Sequence, residues 1–194
     1  MQPDDLKFPV VFLNGVASFL ERTDNWSSCW FGGPSEVQVH GMPDASVPPH
    51  HILTLGCREF PVLGKFGLHL SLFYGIRYSG CDMVLRKRDT FNLEVSRISP
   101  APAEPDWPYP HYPHHLPYFP LRVARKLECD FETFSGLSCQ PGWDVSPAAM
   151  VVIVPASQVI GMSLWGPSGD AERTQIIFEC DLSQGAYRAF NQCA

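Results

Sequence analysis

The sequence predicts a β-rich α+β fold, a single domain of mostly antiparallel sheet. Three observations carry that prediction: segments in which apolar and polar residues alternate, two continuous runs rich in β-branched residues, and only two short stretches with helical spacing. The chain has 194 residues, 45% of them hydrophobic and 12% aromatic, enough to bury a substantial core. Charged residues make up 18%, too few for a disordered polyelectrolyte. No apolar run approaches the roughly 20 residues that a membrane-spanning helix needs. Met1 to Lys7 carries Asp4 and Asp5 without the basic start of a secretory signal, so a cytoplasmic location is expected.

Taken in order, Asn14 to Glu21 has helical spacing. Glu36 to His40 alternates, as do Phe66 to Tyr74, Phe91 to Val95 and the segment from Leu121 to Phe134, and each predicts a half-buried strand. Ala149 to Val154 and Thr174 to Leu182 are apolar on successive residues, the pattern of central strands covered on both faces. Ser183 to Gln192 predicts a closing helix with Ser183 as its cap. About eight strands and two or three short helices result. Nothing repeats internally and no linker divides residues 1–194.

Residues Pro100 to Pro120 form a Pro/His-rich insert with eight prolines in 21 positions, which predicts a polyproline-like strap, neither helix nor central strand. With three residues per turn, Tyr109, Tyr112, His115 and Tyr118 form one stripe and Trp107 begins a second. So much aromatic surface calls for a support, either the protein's own sheet or a partner.

The formal net charge is −6, and it resides in the last third of the chain. Residues 1–126 balance 12 acids against 12 bases, whereas residues 127–194 hold eight acids against Arg173 and Arg188. Such a balance disfavours phosphate backbones and favours basic partners, unless these carboxylates are simply a solvated face. Asp170, Glu172, Glu179 and Asp181 are the first candidates for a partner-binding surface. Glu179 and Asp181 share one side of their strand. Trp107, Tyr109, Tyr112 and Tyr118 are the second set, as aromatic anchors on the strap.

Seven cysteines include no C-x-x-C pair, which argues for reduced structural thiols. No phosphate loop, metalloprotease helix or nucleophile elbow is found, so no catalytic residue, cofactor or metal is assigned. His50, His51, His111, His114 and His115 leave a metal hydrolase as an alternative, since His111 and His114 align on one polyproline face. A small-molecule or structural interaction module is another.

Trp30-Phe31-Gly32-Gly33-Pro34, the His50 to Leu55 strand and the Glu59-Phe60-Pro61 turn resemble the YwqG-like family of bacterial proteins. Leu164-Trp165-Gly166, Gly169-Asp170-Ala171 and Cys180-Asp181-Leu182 resemble that family's closing pattern. Thr54-Leu55 stands where the family has a glutamine-bearing strand. The resemblance implies a β-rich α+β fold and, from members that serve as immunity partners of secreted antibacterial toxins, a non-catalytic protein. Its expected partner is a cognate toxin with a basic surface, such as a nuclease, with no nucleic acid and no membrane bound directly.

Overall fold

The computed structural model describes residues 6–65, 69–78, 81–99, 114–138, 149–155 and 175–192. Their strands are β1 (Val10–Leu13), β2 (Val16–Arg22), β3 (Cys29–Phe31), β4 (Gln38–His40), β5 (His50–Gly56) and β6 (His69–Tyr74), then β7 (Asp82–Lys87), β8 (Asn92–Ser99), β9 (Phe119–Glu128), β10 (Met150–Pro155), β11 (Gln175–Asp181) and β12 (Ala186–Gln192). One short helix, α1 (Phe131–Ser135), and a 3-10 turn at Pro61–Gly64 complete the described elements. The β-rich expectation holds, with less helix than the sequence suggested.

Both of the short helical stretches expected from the sequence are corrected. Asn14 and Gly15 have φ of 51° and 77°, the conformation an Asn-Gly hairpin turn requires, so Asn14 to Glu21 forms the turn and β2. Its apolar pattern misleads because both faces of β2 are covered: Ala17 and Phe19 on one side, Leu20 on the other. Ser183 to Gln192 likewise forms a turn and β12. Asp181 Oδ1 accepts the Ser183 and Gln184 N–H groups and Gly185 takes φ 58°, reversing the chain into a hairpin. The predicted strand from Leu121 to Phe134 ends early, because the Asp130 side chain accepts the Thr133 N–H and caps α1.

The strap expectation is corrected at its end, where Phe119 and Pro120 open β9, an interior strand between β2 and β3. The Pro120 carbonyl accepts from Thr23 N–H, just past the end of β2. A strand residue turns its N and its carbonyl to the same side, so the absent donor faces the end of that ladder and leaves the β3 pairing intact.

The strands form one sheet in the order β4-β8-β7-β12-β11-β10-β1-β2-β9-β3-β5-β6, antiparallel throughout except for β4 beside β8. The sheet rolls on itself. Phe73 N–H on β6, one edge, donates to the Tyr187 hydroxyl on β12 at 2.9 Å, closing a seam. Inside the roll lies the larger core, with Val152, Val154, Ile176 and Phe178. Val151, Ile153 and Ile177 point the other way, under Phe134 and Leu137 of the α1 region, in a second core with Val10, Phe12 and Phe19. β10 and β11 are therefore covered on both faces, as their unbroken apolar runs predicted.

Candidate functional site

A cleft opens where the two ends of the rolled sheet meet, enclosing about 460 Å³ counting the space open to solvent. β6 supplies His69, Leu70 and Ser71; the β7–β8 turn supplies Lys87, Asp89 and Thr90; the β11–β12 hairpin supplies Asp181, Leu182 and Tyr187. Each carboxylate is built into the turn that presents it. Asp89 Oδ1 accepts the Phe91 N–H at 2.8 Å, and Asp181 Oδ1 accepts those of Ser183 and Gln184. These bonds hold both carboxyls below the usual range, led by the Asn92 amide at Asp89 and the Ser183 hydroxyl at Asp181. Phe91, on the same turn as Asp89, is 55% exposed.

Behind Ser71 runs a buried polar chain. Trp30, Thr54 and Ser71 are cross-strand partners on β3, β5 and β6, so their side chains share one face. Ser71 Oγ lies 3.2 Å from Thr54 Oγ1, which lies 2.8 Å from His51 Nε2. A bulge between His51 and Leu53 brings His51 onto the face of Thr54. His51 Nδ1 completes the chain 2.9 Å from the Gly32 carbonyl oxygen. Burial pushes the imidazole pKa down to about 4 against the pull of the backbone carbonyls, so it is neutral near pH 7.

Gly32 and Gly33 clasp the end of the strap. They adopt φ of 59° and 72°, and a Cβ on Gly32 would stand 2.3 Å from the Pro117 carbonyl oxygen. Gly33 N–H donates to Leu116 at 2.9 Å, and Tyr118 lies over Gly33. The Trp30 to Pro34 motif thus acts here as strand, chain reversal and seat for a neighbouring backbone.

Among the described residues, the predicted partner-binding residues Asp181, Glu179 and Tyr118 lie at separate places. Asp181 is on the cleft rim. Glu179 lies on the outer face, half-buried, 3.5 Å from Arg188, whose guanidinium also binds Asp82 at 2.8 Å. Its charge is therefore matched inside the sheet, and burial raises its pKa while Arg188 pulls it back. Tyr118 is 61% exposed at the Gly33 clasp. Asp170, Glu172, Trp107, Tyr109 and Tyr112 lie outside the described residues. Ser71 and Asp89 were not singled out in the sequence, because each joins the cleft only through contacts between distant strands.

Thiol and metal chemistry have little to work with among the described residues. Cys29, Cys57, Cys81, Cys129 and Cys180 are free thiols. Burial pushes Cys29 and Cys81 up to about 12 and Cys180 higher still, keeping all three protonated. Glu59 is held by the Ser27 and Ser28 hydroxyls rather than aimed at a cavity. Among the described residues no three His, Cys, Asp or Glu side chains gather closely enough to hold a metal ion. No described helix is long and apolar enough to cross a membrane.

Comparison with known protein families, with curated proteins and with solved structures finds no match.

Proposed function

We propose that this chain is a non-catalytic binding protein whose docking point is the seam end of the roll. The observation that carries the reading is a cleft lined by Asp89 and Asp181, with the exposed ring of Phe91 on the turn that carries Asp89. Interfaces concentrate their energy in aromatic anchors beside desolvated pockets, ringed by polar groups. His51, a buried imidazole linked to Ser71 through Thr54, is spent on Gly32 and Thr54, and the Cys29, Cys81 and Cys180 thiols stay protonated. These side chains maintain structure instead of attacking a substrate.

Within that class, the resemblance to the YwqG-like family supports a cytoplasmic immunity protein. Its target is a secreted antibacterial toxin, a nuclease with a basic surface, which it neutralises by occlusion. Carboxylates at the mouth of a cleft speed encounter with such a surface.

The test is co-purification from the source cell with mass spectrometry, comparing the native chain with Thr90→Trp, which fills the cleft mouth from an exposed position. A single protein partner, lost in Thr90→Trp and inhibited by the native chain, supports the reading. Capture indifferent to Thr90→Trp removes the seam from the function, and turnover by the isolated chain removes the non-catalytic class.

A further inference from the structure

β6 turns a row of main-chain groups towards the seam. On β5 the Ile52 carbonyl accepts the Gly32 N–H and the Gly56 N–H points to Cys29 Sγ, so Ile52, Thr54 and Gly56 face β3, and Leu53 and Leu55 face β6. Their partners Leu72 and Leu70 therefore spend their main-chain groups on β5, whereas His69, Ser71 and Phe73 direct theirs to the seam. The Phe73 N–H, which meets the Tyr187 hydroxyl, has that direction. Among the described residues none bonds the N–H or the carbonyl of His69 or Ser71, and both residues line the cleft.

The two faces of this edge differ. Leu70 and Leu72 point into the roll and pack in its core, while Ser71 shares the outer face with Thr54 and Trp30. A residue set opposite Leu70 shares its inward face, where Val37, Leu93 and Leu182 form the other walls, and the residues on either side of it turn outward. Tyr187 closes the edge at Phe73, so its open length runs from His69 to Ser71. The cleft encloses about 460 Å³, room for a short extended segment and too little for a second sheet. Rows of main-chain donors and acceptors at a strand edge are a template for another strand.

We propose that the seam cleft receives an extended segment of the partner protein as a strand added to β6. Its main chain pairs with His69 and Ser71, and one apolar side chain, opposite Leu70, enters the mouth of the roll. Affinity comes from main-chain hydrogen bonds and selectivity from that single apolar position. The inference rests on the binding reading above and adds the conformation and the pattern of what is bound.

The test uses the full ¹⁵N-labelled chain and a blocked pentapeptide of alternating threonine and valine at millimolar concentration. In the free chain the His69 and Ser71 amides should exchange with solvent faster than those of Leu70 and Leu72. The peptide should shift and protect His69 and Ser71 and leave the exchange of Leu70 and Leu72 unchanged, an alternation that apolar contact alone does not produce. The same peptide with N-methylated amides should do neither. Ser71→Pro removes a seam-facing N–H without taking a bond from β5, and His69→Pro does so at the exposed first residue of the strand, so each should abolish the shifts. Ser71→Ala and His69→Ala keep the N–H and should retain them.

His69 and Ser71 amides already as slow as Leu72 in the free chain, no shift with the peptide, or equal shifts with its N-methylated form overturns the proposal. Shifts at Ser71 that grow with the concentration of the chain alone make a second copy the occupant and overturn it too. Thr90→Trp-sensitive capture of a partner, equal in Ser71→Pro and Ser71→Ala, would leave the binding function standing and strand addition refuted.

Discussion

His51 Nδ1 lies 2.9 Å from the carbonyl oxygen of Gly32, and that contact fastens β5 to the glycine turn on which the strap rests. The same imidazole supports Thr54 and, through it, Ser71 at the cleft. One buried ring therefore joins the seat of the strap to the wall of the seam.

The first prediction follows from keeping that ring neutral. Its pKa falls from 6.5 to about 4 on folding, so between those values the unfolded chain binds the proton and the folded one does not. Stability present above pH 6.5 is lost as pH falls towards 4, by at most about 3 kcal/mol from this residue. Urea melts across that range should show the loss in the native protein and a flatter profile in His51→Gln. The depressed Asp44 and Asp130 carboxylates act below their ordinary 3.8, and Glu94 and Glu179, whose ordinary value is 4.5, contribute alike to both proteins and cancel in the comparison. Equal slopes in the two proteins would remove His51 as the cause.

The second concerns the clasp. Gly32→Ala places a Cβ against the Pro117 carbonyl at a φ of 59°, combining left-handed backbone with a backbone clash. The expected cost is about 1–3 kcal/mol, with faster proteolysis near residues 114–118. Gly64→Ala is the control, since its Cβ would meet nothing within 4 Å, and it should change stability by under about 0.5 kcal/mol. Matching losses in both variants would show that the clasp has no special cost.

A third tests closure of the roll. Tyr187→Phe removes the oxygen that accepts the Phe73 N–H and leaves that donor buried. A loss of about 1–3 kcal/mol is expected, and hydrogen exchange at Phe73 should accelerate ahead of β10 amides. Unchanged exchange at Phe73 would mean that the seam is held by packing alone.

Much of the sheet was legible because its strands follow simple patterns. The unbroken Ala149 to Val154 run predicted a strand covered on both faces, and β10, built from it, is one. The helical misreadings arose at strands that are likewise two-sided but carry mixed residues: Phe19 and Leu20 face different cores, so no period of two is visible. Local chemistry could have corrected both, through Asn14-Gly15 as a hairpin turn and Asp181-x-Ser183 as a side-chain-capped turn. The cleft was not legible at all. Ser71, Asp89 and Asp181 are separated by up to 110 positions, and only the curl of a twelve-stranded sheet brings them to one opening.

The last prediction separates Glu179 from the acidic surface to which its sequence position assigned it. Arg188 lies over the Phe190 ring at 4.4 Å and reaches both Asp82 and Glu179, whose side chain is 16% exposed. Removing the guanidinium in Arg188→Met leaves a half-buried carboxylate without its cation and raises its pKa further. A raised carboxyl pKa favours folding below the unfolded value of 4.5 and loses that advantage as pH rises, so the variant's deficit should be largest near pH 7 and shrink towards pH 4.5. Because Arg188 is 40% exposed, solvent screening limits the deficit to about 1 kcal/mol. Adding Glu179→Gln should recover most of it at pH 7, whereas a deficit that ignores both pH and the second substitution would assign the role of Arg188 to its packing on Phe190.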